Sequence, residues 1–173
     1  SLCPFKAFAE HRLDSRCVAT PEPGLPAKER GTILHGALKA FWDGVEGSAR
    51  LSEIIEGNGL EARIASVVDG VFKDVRLGAP FSARFIEIEK DRLSSLLRDW
   101  MVKESKRPSF IVKKVEDEKV VDICGLEIRL RPDRVDILAD SKSVLIDYKS
   151  GKVDRNDWLG QRPRDPQMIV YSL

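Results

Sequence analysis

Val144-Leu145-Ile146-Asp147-Tyr148-Lys149 is the stretch on which the reading of this chain turns. An apolar run ends in an acid and a base two positions apart. In a strand successive side chains alternate faces, so Asp147 and Lys149 point one way while Val144, Ile146 and Tyr148 point the other. A carboxylate and an ammonium at the end of a buried strand cost desolvation unless they are paired or bind something. A hard divalent cation with phosphate oxygens nearby satisfies both groups. So does an ordinary salt bridge beside an acidic hairpin, and an isolated D-x-K does not choose between them.

Upstream lies Arg131-Pro132-Asp133-Arg134-Val135-Asp136. The spacing puts Asp133 on the preceding strand, one hairpin away from Asp147. Carboxylates on adjacent strands can share one cation through oxygen ligands. A bound Mg²⁺ or Mn²⁺ there can polarise a phosphoryl oxygen and activate a water. Lys149 can orient that water or neutralise charge developing on the phosphate. Arg129 and Arg131 have the parity of Asp133, so a regular strand would put both on its face, placed to hold flanking phosphates.

Working outward, residues 109–149 are rich in Val and Ile and alternate apolar with polar, which predicts strands near 109–116, 119–124, 126–138 and 143–149. Turn signals sit at Glu116–Glu118, Gly125 and Ala139–Lys142. Before them the apolar spacing is helical over about 4–13, 30–46, 49–56, 60–76 and 82–106, with a Pro- and Gly-rich loop at 14–29 and Pro108 as the last helix's stop. A polar loop follows Lys149, and a final helix begins near Asp165, with Pro166 in its first turn. The order predicts a mixed α/β (α+β) domain. Its helical part spans about 1–108, and a sheet-bearing core spans about 109–173.

His35 falls at the edge of the apolar stripe of the 30–46 helix, where a helix meets a cleft. A neutral imidazole there can ligate Mn²⁺ or a similar ion; it can equally be a boundary histidine packed on Trp42. Gln167 and Tyr171 stack on one helix face, either as substrate or site support or as packing against the sheet. With 173 residues and 42% hydrophobic content, the chain suits one domain with one core. A net charge of +1 excludes bulk basicity as a nucleic-acid signal, so any DNA surface is local. Arg155, Arg162 and Arg164, in the loop after Lys149, are the better candidates for backbone contacts; Lys103, Lys106, Arg107, Lys113 and Lys114 read as a solvated face. No apolar stretch reaches membrane-span length and no signal peptide is evident, so the expected location is cytoplasmic. Cys3, Cys17 and Cys124 form neither a disulfide framework nor a four-cysteine cluster site, so an iron–sulfur cluster within this chain is not expected.

Five segments in order resemble the PD-(D/E)XK nuclease superfamily in its RecB-like branch. Cys3-Pro4-Phe5 resembles the opening C-P-[FY] helix, and Gly31-Thr32-Ile33-Leu34-His35 the G-x-x-x-H helix. Arg131-Pro132-Asp133-Arg134-Val135-Asp136 resembles the first acidic strand, Asp147-Tyr148-Lys149-Ser150-Gly151-Lys152 the D-Y-K-[ST]-G-K strand end, and Gln167 with Tyr171 the Q-x-x-x-Y helix. Arg131 stands where glycine is more usual. The segments at 21–25 and 158–163 are also similar to the C-terminal domain of bacterial proteins described as DNA repair proteins, which implies a nuclease domain cut from a longer polypeptide.

The resemblance implies a restriction-endonuclease-like core, with a small central mixed sheet flanked by helices. It implies His35, Asp133, Asp147 and the Tyr148 backbone carbonyl as ligands of Mg²⁺ or Mn²⁺, and Asp133, Asp147 and Lys149 as catalytic. Gln167, Tyr171, Arg131 and Arg129 are then substrate-binding or supporting. DNA is the implied substrate, and a helicase-like region or helicase the implied partner. The competing expectation is a nuclease-like fold that binds DNA or scaffolds a repair complex without cutting.

Overall fold

The computed structural model describes residues 3–15, 24–75, 81–115, 118–123, 125–151, 154 and 171. Among the described residues five helices come first: α1 (Pro4–Arg12), α2 (Ala27–Trp42), α3 (Ser48–Glu56), α4 (Leu60–Asp74) and α5 (Ala83–Glu104). Five strands follow: β1 (Phe110–Val115), β2 (Lys119–Ile123), β3 (Leu126–Leu130), β4 (Arg134–Leu138) and β5 (Ser143–Ile146). This is a mixed α/β architecture, consistent with a restriction-endonuclease-like fold.

α2 begins earlier than its apolar stripe. Pro26 needs no hydrogen bond for a missing N–H, and Arg30 reaches back to donate two hydrogen bonds to the Leu25 carbonyl. The helix ends at Trp42, short of the expected Glu46, because Gly44 turns the chain at φ +74. α3 and α4 are separated at Gly57-Asn58-Gly59, with Asn58 in the left-handed region at φ 55. Ser82 caps α5 by accepting from the Phe85 backbone N–H at 3.2 Å.

The core gathers Ile33, Ala37, Leu38, Phe41 and Trp42 of α2 with Ile64 and Val68 of α4, Leu93, Leu97 and Met101 of α5, Phe110 of β1 and Tyr148. α1 contributes no buried side chain, and its Phe5 and Phe8 are exposed. The turn between α2 and α3 presses on β1: Gly47 at φ +155 bridges Ile111, and a Cβ there would run into the Phe110 carbonyl oxygen.

The strands form two ladders, β1-β4-β5 and β2-β3, and every pairing among the described residues is antiparallel, where a mixed sheet was expected. The expected single strand over 126–138 is two strands. Buried Pro132 has no N–H for a ladder and fixes its φ, so pairing stops at Leu130 and resumes at Arg134. That break sends β2-β3 off as a separate hairpin. In the larger sheet Arg134 pairs with Ile146, so one further step of register sets Asp133, just ahead of β4, opposite Asp147, just past β5.

Candidate active site

Three elements converge where β4 begins and β5 ends. α2 brings His35, the turn into β4 brings Asp133, and the chain leaving β5 brings Asp147, Tyr148 and Lys149. The Asp133 carboxylate is gripped from two sides: Oδ1 lies 3.0 Å from His35 Nδ1, and Oδ2 accepts the Tyr148 backbone N–H at 2.6 Å. Lys149 Nζ lies 2.8 Å from Asp147 Oδ2. The side-chain alternation expected of a strand therefore persists after the ladder has ended. Asp147 is buried to 5% exposure, while Lys149 keeps 34% and opens to solvent.

His35 is raised above the ordinary imidazole value. The hydrogen bond to Asp133 is the main cause, opposed by partial burial and reinforced by the charges of Asp133 and Asp147 and by the Tyr148 backbone. The same ring thus feels both carboxylates and the backbone after the second one. Its aromatic neighbour is Tyr148, edge-on at 6.4 Å between ring centroids.

Two carboxylates, one imidazole and one backbone carbonyl are a donor set suited to a hard or borderline divalent cation. The residues fit such an ion in type. Among the described residues no three His, Cys, Asp or Glu side chains stand together at metal-holding spacing, and His35 and Asp133 are joined by a hydrogen bond.

The supporting residues divide. The Tyr171 hydroxyl donates to the Arg131 carbonyl at 3.0 Å, tying it to the segment that carries Asp133. The Arg131 side chain is exposed. Arg129 is not at the site: because Pro132 ends the strand, Arg129 lies on the β2-β3 hairpin, exposed, 3.7 Å from Glu118. Gln167, Arg155, Arg162, Arg164, Cys17 and Cys124 lie outside the described residues.

Beneath the site is a charge network not anticipated from the sequence. Arg134 is fully buried; it donates to Glu104 at 2.6 Å, to Asp136 at 2.7 Å and to the Tyr148 hydroxyl at 3.2 Å, with its guanidinium 4.0 Å from the centre of the Trp42 ring. Arg107, expected on a solvated face, is half-buried and bonds both Glu104 and Asp136. Burial works against the Arg134 charge, but Tyr148, Asp136 and Glu104 outweigh it and raise its pKa. Burial is also the main cause that pushes the Tyr148 phenol far up, so the group stays neutral. The signal available in the sequence was parity: Arg134 and Asp136, two apart on a strand, share the face that turns inward.

A family model described as PD-(D/E)XK nuclease superfamily matches residues 1–173. The chain belongs to that superfamily. PD-(D/E)XK proteins are generally nucleases that hydrolyse phosphodiester bonds, and they generally use divalent metal ions. No curated protein and no solved structure matches the chain. Among the described residues of this superfamily member, no helix is long and apolar enough to cross a membrane.

Proposed function

We propose that residues 1–173 form one RecB-like, metal-dependent DNA nuclease domain acting in repair or recombination, alongside a helicase-like region or partner. Asp133, Asp147, His35 and the Tyr148 carbonyl would hold Mg²⁺ or Mn²⁺. When bound, such an ion polarises a phosphoryl oxygen and supplies an activated water. Lys149, beside Asp147 and open to solvent, orients the attacking water and offsets negative charge developing on the phosphate. Asp133 keeps its orientation through the His35 ring and the Tyr148 N–H. Tyr171 steadies the segment before Asp133.

The observation that carries this reading is the opposition of Asp133 and Asp147 across one hairpin end, with His35 and Lys149 completing the set. The test is cleavage of labelled linear single- and double-stranded DNA in Mg²⁺, Mn²⁺ or EDTA. Metal-dependent cutting lost in Asp147→Ala and Lys149→Ala is the expected result. Cutting that survives in EDTA or in both variants would sink the assignment.

A second reading is a nuclease-like module that binds DNA or scaffolds a complex without cutting. It draws on the tight pairing of His35 with Asp133 and of Lys149 with Asp147. Calorimetry separates the two: Mn²⁺ binding that needs Asp133 and Asp147 favours the enzyme, and absence of binding favours the module.

A further inference from the structure

The ladder between β4 and β5 ends at the Arg134–Ile146 pair, so Asp147, Tyr148 and Lys149 lie past its last rung. Backbone beyond a ladder lacks the paired bonds that hold a strand in register. Tyr148 has two tasks at that point: its N–H grips Asp133 Oδ2 at 2.6 Å, and its carbonyl is a proposed ligand. Its side chain supplies the hold that the ladder does not. The residue is buried, with its ring edge-on to His35 of α2 at 6.4 Å and to Trp100 of α5 at 5.9 Å. Its hydroxyl accepts from Arg134 Nη1 at 3.2 Å.

Arg134 is clamped in turn. Its Nη2 donates to Glu104, at the end of α5, at 2.6 Å and to Asp136 of β4 at 2.7 Å. The guanidinium lies 4.0 Å from the centre of the Trp42 ring. A guanidinium is a rigid planar fork, so holding one nitrogen between two carboxylates aims the other. Here that other nitrogen meets the phenol. Arg134 follows Asp133 directly in the chain, so the bonds close a circuit. It runs from Asp133 to Arg134 by the peptide, from Arg134 to the Tyr148 hydroxyl, and from the Tyr148 N–H back to the Asp133 carboxylate. The circuit joins the two strand ends at the step where the ladder stops. Stability alone does not call for it, since apolar residues of similar volume often serve as well as a buried ion pair or better.

We infer that Arg134 is a positioning residue of the candidate site: held by Glu104 and Asp136, it fixes the Tyr148 phenol and thereby the backbone that orients Asp133. The inference rests on the metal-dependent reading only for the ion that Asp133 and the Tyr148 carbonyl would hold. It adds that the geometry offered to that ion is set by the buried charges beneath it. Removing a partner that orients a metal ligand typically weakens metal affinity by about 10–100-fold.

The test reads the circuit before any metal is added. Amide hydrogen exchange in EDTA, followed by NMR, compares residue 148 with Ile137 in β4, which is paired on both sides and reports global opening. Tyr148→Phe keeps the ring and the backbone and removes only the hydroxyl. Arg134→Lys keeps the charge and removes the fork. In both variants exchange at residue 148 should accelerate about tenfold more than at Ile137. Calorimetry with Mn²⁺, below the melting temperature of each variant, should show affinity about tenfold weaker with the number of sites unchanged. Circular dichroism verifies folding, and if Arg134→Lys does not fold, Tyr148→Phe decides alone. Exchange at residue 148 that rises no more than at Ile137 overturns the inference. So does wild-type Mn²⁺ affinity in the folded variants, which leaves the metal site standing. Local exchange in the variants, with no Mn²⁺ binding even by the wild type, upholds the positioning of Asp133 and removes the metal reading.

Discussion

Asp133 owes its orientation to two bonds from different parts of the chain, the ring of His35 on α2 and the backbone N–H of Tyr148. Tyr148 in turn is anchored through its hydroxyl to Arg134, which is clamped by Glu104 and Asp136. Removing Arg134 leaves two buried carboxylates with only the half-buried Arg107 as a cation. Breaking a buried ion pair by deleting one partner typically costs about 3–5 kcal/mol. Arg134→Ala should fall in that range in urea denaturation, with a lowered midpoint and an unchanged slope. Tyr148→Phe leaves one buried donor of Arg134 without its acceptor, and should cost about 1–3 kcal/mol in the same measurement. If Arg134→Ala proves near neutral, the network does not hold the site in place. Asp133, Asp147 and Lys149 stood out in the sequence as acids and a base at fixed spacing on apolar strands, while His35 on its helix kept a packing reading, and it was the family resemblance that joined the four into one expected site. Glu104 drew no reading from the sequence and Arg107 read as part of a solvated face; only packing against β4 buries one and half-buries the other.

At the scale of elements, α4 and α5 are joined by two exposed ion pairs besides their apolar contact. Glu61 meets Arg98, and Asp69 meets Lys90. Hydrogen bonding to Arg98 is the first cause that lowers Glu61, and hydrogen bonding to Lys90 the first that lowers Asp69. A carboxyl whose folded pKa lies below its unfolded value stabilises the fold above the unfolded value and loses that contribution as pH falls through the folded one. Stability should therefore drop on the acid side of the ordinary carboxyl range, and Glu61→Gln should flatten that part of the profile. Both pairs face water, so the effect is small and shrinks in high salt. An acid limb in thermal melts that is identical in wild type and variant would refute it. The turn joining α2 to α3 supplies a sharper case. Gly47→Ala sets a Cβ against the Phe110 carbonyl oxygen at a φ of +155, and should lower the melting temperature far more than Gly44→Ala, which meets open space.

At the scale of the whole molecule, the helical part and the sheet meet at the proposed metal ligands, so a bound ion ties the two together. A ligand present at about 100 times its Kd stabilises the folded state by about 2.7 kcal/mol. For a domain of this size that corresponds to a rise in Tm of about 5–10 °C. Saturating Mn²⁺ should produce such a rise in the wild type, EDTA should reverse it, and Asp147→Ala should show none. An equal rise in the variant would place the ion elsewhere.

Apolar periods of 3.6 and 2 are local properties of the chain, so the helices and most of the strands among the described residues could be read in order from spacing alone. Spacing also put Asp147 and Lys149 on one face of a strand end, while leaving open whether they form a salt bridge or serve an ion. That Asp133 stands opposite Asp147, that Pro132 divides one expected strand into two and carries Arg129 away, and that Arg134 and Asp136 lie under the site emerges from the folded chain alone. Strand register and the burial of charge depend on partners distant in the chain, and one chain's spacing carries no record of which residues those partners are.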